Sequence, residues 1–149
     1  MPSIISKNQT DTYNRGREYA SKLQGGEILA LSGPLGAGKT TFIKGAVNYF
    51  LPGKRVLSPT FIIVRHYYPQ HSLIKHLLHV DLYRLQDTVQ IQDLGLDEFF
   101  ALPQTVVLIE WADRMGQLLP QRRIDVNFKI RSANTREILI TSPIWKIMK

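Results

Sequence analysis

The chain has 149 residues, 44% of them hydrophobic and 21% charged, and it contains no cysteine. That balance excludes a disordered, collagen-like or coiled-coil chain, and the missing thiols exclude disulfides, a thiolate zinc site and a cysteine nucleophile. Nineteen Lys and Arg against twelve Asp and Glu leave a net charge of +7, which raises the local concentration of polyanions such as RNA, nucleotides or an acidic protein face.

In chain order, Thr10 to Leu23 carries apolar residues at helical spacing after a Thr-Asp start, and Gly25-Gly26 stops the predicted helix. Glu27 to Ser32 is a short apolar run between glycines and reads as a buried strand. A glycine-rich turn leads into a helix over Thr40 to Phe50, ended by Pro52-Gly53. Phe61 to Tyr68 and His76 to Tyr83 are β-branched and aromatic, which predicts a long-looped hairpin around Pro69. Thr88 to Leu102 reads as a helix weakened at Gly95, and Thr105 to Ile109 as a second buried strand. Ile124 to Ile130 and Glu137 to Thr141 alternate across a polar turn at Ser132 to Asn134 and form an antiparallel pair. Strands interleaved with helices predict a three-layer α/β fold, with antiparallel strands in a mixed sheet. The length suits a single domain over residues 1–149. No apolar run approaches the ~18 residues of a bilayer span, and the N-terminus lacks the core of a secretion signal, so a cytoplasmic protein with no membrane partner is expected.

One motif dominates. Gly33-Pro34-Leu35-Gly36-Ala37-Gly38-Lys39-Thr40 fits G-x-x-x-x-G-K-S/T in full, with a strand before it and a helix after it. The glycines let the chain approach a ligand closely, so that successive amides form an anion nest at a helix N-terminus. Lys39 reaches toward β- and γ-phosphates, the Thr40 hydroxyl toward Mg²⁺, and Thr41 sits one residue deeper, facing the α-phosphate. A magnesium–nucleotide site needs a carboxylate at the end of a neighbouring strand. Glu110 ends Val106-Val107-Leu108-Ile109, and Asp81 ends Leu77-Leu78-His79-Val80. Asp is usual in that role, so the longer Glu110 either touches the metal or holds an attacking water.

Other candidates are weaker. His66, His71, His76 and His79 lie near one another in sequence but lack a metal-ligand spacing. Trp111 follows Glu110 and either packs or stacks on a base or partner. Arg122-Arg123 reads as a solvated face or a polyanion contact. The Asn-Lys-x-Asp pattern of a guanine site is absent, and no insertion is long enough for a kinase lid, Tyr68 to Lys75 being the nearest.

Four blocks then occur in fixed order: GPLGAGKTTF from Gly33, LSPTF from Leu57, HVDLYR from His79 and LIEWADR from Leu108. Together they resemble the TsaE family of bacterial P-loop ATPases, over about Gly26 to Arg131. The resemblance implies the P-loop NTPase fold and a role in making N6-threonylcarbamoyladenosine in tRNA (t6A37). It also implies MgATP hydrolysis stimulated by partners: the family binds TsaB and TsaD, tRNA is met through that complex with direct contact left open, and no DNA partner is expected. By resemblance, Gly33 to Thr41 holds ATP, Thr40 and Glu110 hold Mg²⁺, and Asp81 is needed for hydrolysis together with Glu110. Ser58 and Thr60 lie in a loop resembling a switch, and Trp111 is a signature neighbour implied in partner coupling. Pro34 stands where the family commonly has an acidic residue.

Overall fold

Ile28–Ser32 and Thr105–Glu110 are apolar almost without interruption, a pattern that suits strands covered on both faces. They lie side by side at the centre of a seven-stranded sheet. The computed structural model describes residues 3–57, 63–85 and 87–141. Its elements are β1 (Ser3–Ser6), α1 (Gln9–Ala20), β2 (Ile28–Ser32), α2 (Lys39–Phe50), β3 (Val64–Tyr67), β4 (His76–Asp81), α3 (Thr88–Gln92), α4 (Leu96–Phe100), β5 (Thr105–Glu110), a short 3₁₀ segment (Ala112–Leu118), β6 (Ile124–Ile130) and β7 (Arg136–Thr141).

The strand order is β1-β7-β6-β2-β5-β4-β3. β4, β5, β2 and β6 run parallel, while β3, β7 and β1 pair antiparallel with their neighbours. Residues alternate between two apolar layers, as the two-residue period of a strand requires. Leu29, Leu31, Leu77, Val106 and Leu108 pack with α1 and α2 on one face. Ile28, Ala30, Leu78, Val80, Val107 and Ile109 pack with α3, α4 and the 3₁₀ segment on the other. The helix–sheet–helix layering follows from this split.

α1 and α2 touch at backbone distance. A Cβ on Gly16 would sit 1.9 Å from the Phe42 carbonyl oxygen, and one on Gly45 would sit 1.9 Å from that of Tyr13. The reciprocal glycines brace α2 against α1, whose own start is capped by the Asn8 side chain accepting from the Asp11 amide at 2.7 Å.

Two local expectations change. The helix expected over Thr88 to Leu102 is two short helices, α3 and α4. Gly95 separates them with φ 67°, a left-handed backbone that cannot continue an α-helix. The strand expected over Phe61 to Tyr68 is β3, Val64–Tyr67, with 61 and 62 outside the described residues. β1 and the 3₁₀ segment have no counterpart among the sequence expectations. The hairpins β3–β4 and β6–β7 form as expected. Among the described residues, no helix is long and apolar enough to cross a membrane.

Candidate functional site

Because β2, β4 and β5 are parallel, their carboxyl ends meet at one edge of the sheet, where open α/β sheets bind ligands. The register aligns Leu31 with Glu110 and Asp81 with Glu110. The glycine loop leaves the end of β2 at this edge and feeds α2, which begins at Lys39. Gly33 has φ 145°, and a Cβ there would lie 2.7 Å from the Phe128 carbonyl oxygen, so only glycine fits the turn. Gly38, at φ 101°, opens α2 with no side-chain cap and no acid in the first turn. The amides of that turn therefore face the loop mouth without a competing side chain.

Lys39 is buried, at 4% exposure. Its Nζ donates to the carbonyl oxygens of Gly33 (2.6 Å) and Pro34 (2.9 Å) and lies 4.1 Å from the centroid of the Trp111 ring. Burial pushes the ammonium below the ordinary lysine range, and the Glu110, Asp113 and Asp81 carboxylates oppose that shift. Trp111 adopts a left-handed backbone (φ 59°, ψ 40°) immediately after β5, and its ring also neighbours Tyr83 and Arg114. Trp111 thus covers a lysine, an outcome that neither simple packing nor base stacking had anticipated.

The acids lie alongside. The Thr40 hydroxyl donates to Glu110 Oε1 at 2.5 Å, and Glu110 Oε2 lies 2.6 Å from His79 Nε2. Glu110, Asp81 and His79 are all buried. Asp81 Oδ1 accepts from the Tyr83 amide at 2.9 Å. Thr40, Thr41, Asp81 and Glu110 line a cavity of about 530 Å³, to which Asn8, Thr12, Asn134 and Arg136 also contribute. The Thr40 hydroxyl and the Glu110 carboxylate offer adjacent hard oxygens beside a second carboxylate. That donor set fits Mg²⁺, which takes few protein oxygens and keeps the rest for water and phosphate.

The structure brings Gly33 to Thr41, Asp81, Glu110 and Trp111 into one place. Ser58 and Thr60 lie outside the described residues. The four histidines separate: His66 Nε2 lies 3.0 Å from His76 Nδ1, His71 accepts from the Leu73 and Ile74 amides, and His79 meets Glu110. Arg123 braces its own strand through Asp125 and the Pro120 carbonyl, and Arg122 is exposed. Two features escaped the sequence reading. Arg136 Nη2 donates to the Gly36 carbonyl at 3.1 Å across a hundred residues of chain, with no local signal. His79 had one: it stands two residues before Asp81, on the same face of β4.

Comparison with known proteins gives the family. The family described as "Threonylcarbamoyl adenosine biosynthesis protein TsaE" matches residues 6–138. A TsaE protein of Bacillus subtilis is 38% identical over 135 residues, covering 91% of this chain and 82% of the relative. One from Rickettsia bellii is 36% identical over 139 residues, covering 93% of each. The crystal structure of Bacillus subtilis YdiB superposes with a TM-score of 0.75 at 30% identity, covering 95% of this chain and 84% of that one. The chain belongs to the TsaE family, and its fold is the three-layer α/β P-loop arrangement with a mixed sheet.

Proposed function

We propose that this protein is a P-loop ATPase of N6-threonylcarbamoyladenosine synthesis in tRNA, hydrolysing MgATP to support turnover of a TsaB–TsaD complex. The names of its relatives support the pathway, "tRNA threonylcarbamoyladenosine biosynthesis protein TsaE" in both Bacillus subtilis and Rickettsia bellii. The single observation that carries the chemistry is the Thr40–Glu110 hydrogen bond at the foot of the glycine loop, with buried Lys39 beside it.

The loop amides and the α2 N-terminus receive the triphosphate as an anion. Lys39 exchanges its two carbonyl acceptors for phosphate oxygens, and the polyanion stabilises the charge that burial disfavours. Thr40 and Glu110 would hold Mg²⁺, which would supply neutralisation of the negative charge on the phosphates. Asp81, on the strand beside Glu110, orients the attacking water. No side chain forms a covalent intermediate, because phosphoryl transfer depends on positioning and charge. By the family resemblance, the segment from Ser58 to Phe61, with Thr60, couples loss of the γ-phosphate to the grip on the partners, and Trp111 is the coupling side chain.

The test is ATP turnover by the full chain mixed with TsaB and TsaD. Lys39→Ala abolishes nucleotide binding or hydrolysis. Glu110→Ala loses Mg²⁺-dependent turnover and keeps part of the nucleotide affinity. Partner-stimulated turnover at the wild-type rate in both variants refutes the assignment.

A further inference from the structure

His79 stands where a leucine would fill the same space without burying a polar atom. It is fully buried on β4 between the apolar residues Leu78 and Val80. Its Nδ1 has no hydrogen-bond partner among the described residues. A buried nitrogen without a partner is unfavourable and rare, and calls for an explanation at the other end of the ring. There Nε2 lies 2.6 Å from Glu110 Oε2. An ionised carboxylate oxygen can only accept, so the hydrogen between them is donated by Nε2.

Glu110 is thus gripped at both oxygens: Thr40 from α2 donates to Oε1, and His79 from β4 donates to Oε2. His79 pairs in register with Leu108, one same-face step behind Glu110 on β5. The carboxylate must span from that position to the Thr40 hydroxyl. This accounts for a glutamate where the shorter aspartate is usual: its extra methylene lets one carboxylate meet both donors.

We propose that His79 is the positioning residue of the metal site, holding Glu110 Oε2 so that Oε1 and the Thr40 hydroxyl stand preset for the Mg²⁺ of a bound nucleotide. The inference rests on the MgATP reading of the site. A partner that orients a metal ligand without touching the metal is worth about 10- to 100-fold in metal affinity.

The experiment titrates a fluorescent ADP analogue into the full chain, with Mg²⁺ and with EDTA, for wild type, His79→Leu, His79→Asn and His79→Gln. In the wild type, Mg²⁺ tightens binding. In His79→Leu and His79→Asn that tightening drops by about tenfold or more, while affinity in EDTA stays at the wild-type value. The Gln amide nitrogen sits near the position of Nε2, so His79→Gln restores most of the Mg²⁺ effect. In ATP turnover with TsaB and TsaD, the Leu and Asn variants need correspondingly more Mg²⁺ for half-maximal rate and recover when Mg²⁺ saturates. A residue that only fills the core would move the melting temperature and leave the Mg²⁺ effect alone. If His79→Leu does not fold, the Asn–Gln contrast carries the same test. Wild-type Mg²⁺ dependence in the Leu or Asn variants, or a Gln variant as impaired as Asn, overturns this inference alone. A wild-type protein whose nucleotide binding ignores Mg²⁺ overturns the site reading and this inference with it.

Discussion

A single methyl group on Gly45 tests the link between the helical layer and the phosphate loop. The Cβ of Gly45→Ala would lie 1.9 Å from the Tyr13 carbonyl oxygen, where real Cβ contacts stay beyond 3.0 Å. The obstructing atom is backbone, so no side-chain rotation relieves it and α1 must move off α2 by about 1 Å. Alanine in a helix interior gains ~1 kcal/mol over glycine. Overpacking costs about 1–3 kcal/mol at ordinary core sites and more where backbone obstructs. The net loss is about 2 kcal/mol, which lowers Tm by about 4–8 °C in a chain of this size. The shift also draws Thr12, which stands 3.2 Å from the position of a Cβ on Gly38, away from the loop, so nucleotide affinity falls as well. The assay is a circular-dichroism melt together with nucleotide titration of the folded protein. Gly16→Ala acts in the same direction at the same contact, and the double variant is less than additive because one displacement relieves both clashes. A Gly45→Ala protein that melts at or above the wild-type temperature refutes the close-approach argument.

Two further predictions concern other parts of the site and sheet. Burial, and then the neighbouring His76, hold the His66 imidazole below the ordinary histidine range. The unfolded chain takes up that proton first, so this contribution to stability is complete above the ordinary value. It is lost as pH falls from there toward the lower folded value, and stays constant below that. An NMR titration placing His66 at or above the ordinary value contradicts this, and His66→Phe, which keeps a ring against Tyr68, flattens the acid limb of the stability curve. Arg136→Ala removes the hydrogen bond from Nη2 to the Gly36 carbonyl. With that contact worth about 1 kcal/mol, nucleotide affinity falls about fivefold and amide exchange quickens around Gly36; unchanged exchange and affinity sink the idea that Arg136 steadies the loop.

The parts of the fold that were legible in the sequence are those set by local chemistry. An apolar strand, a glycine turn and a helix follow one another from Ile28 to Phe50, and each has its own signal in composition and periodicity. The β6–β7 pair was readable because its alternation and its polar turn agree. β1 was not, since four residues carry too little pattern and the strand exists through its pairing with β7, at the other end of the chain. The single helix expected over Thr88 to Leu102 broke because one left-handed residue, Gly95, outweighed a periodicity that continues on both sides. At the site, motif spacing pointed to Lys39, Thr40, Asp81 and Glu110, and the parallel register of β2, β5 and β4 brings them together. Arg136 and Thr12 reach the cavity through tertiary packing alone. Trp111 was noted as Glu110's neighbour, but its place over Lys39 depends on a backbone turn that no local residue pattern announces.

The central claim is that the loop from Gly33 to Thr41 seats a magnesium–nucleoside triphosphate against Thr40 and Glu110. A crystal structure of the full chain grown with Mg²⁺ and a non-hydrolysable ATP analogue tests it most directly. The expected structure has the phosphates inside the loop, Lys39 turned from its carbonyl acceptors onto them, and the metal beside Thr40 and Glu110 with Asp81 facing the γ-phosphate. A nucleotide bound elsewhere, or one seated in the loop with both carboxylates turned away from the metal, contradicts it.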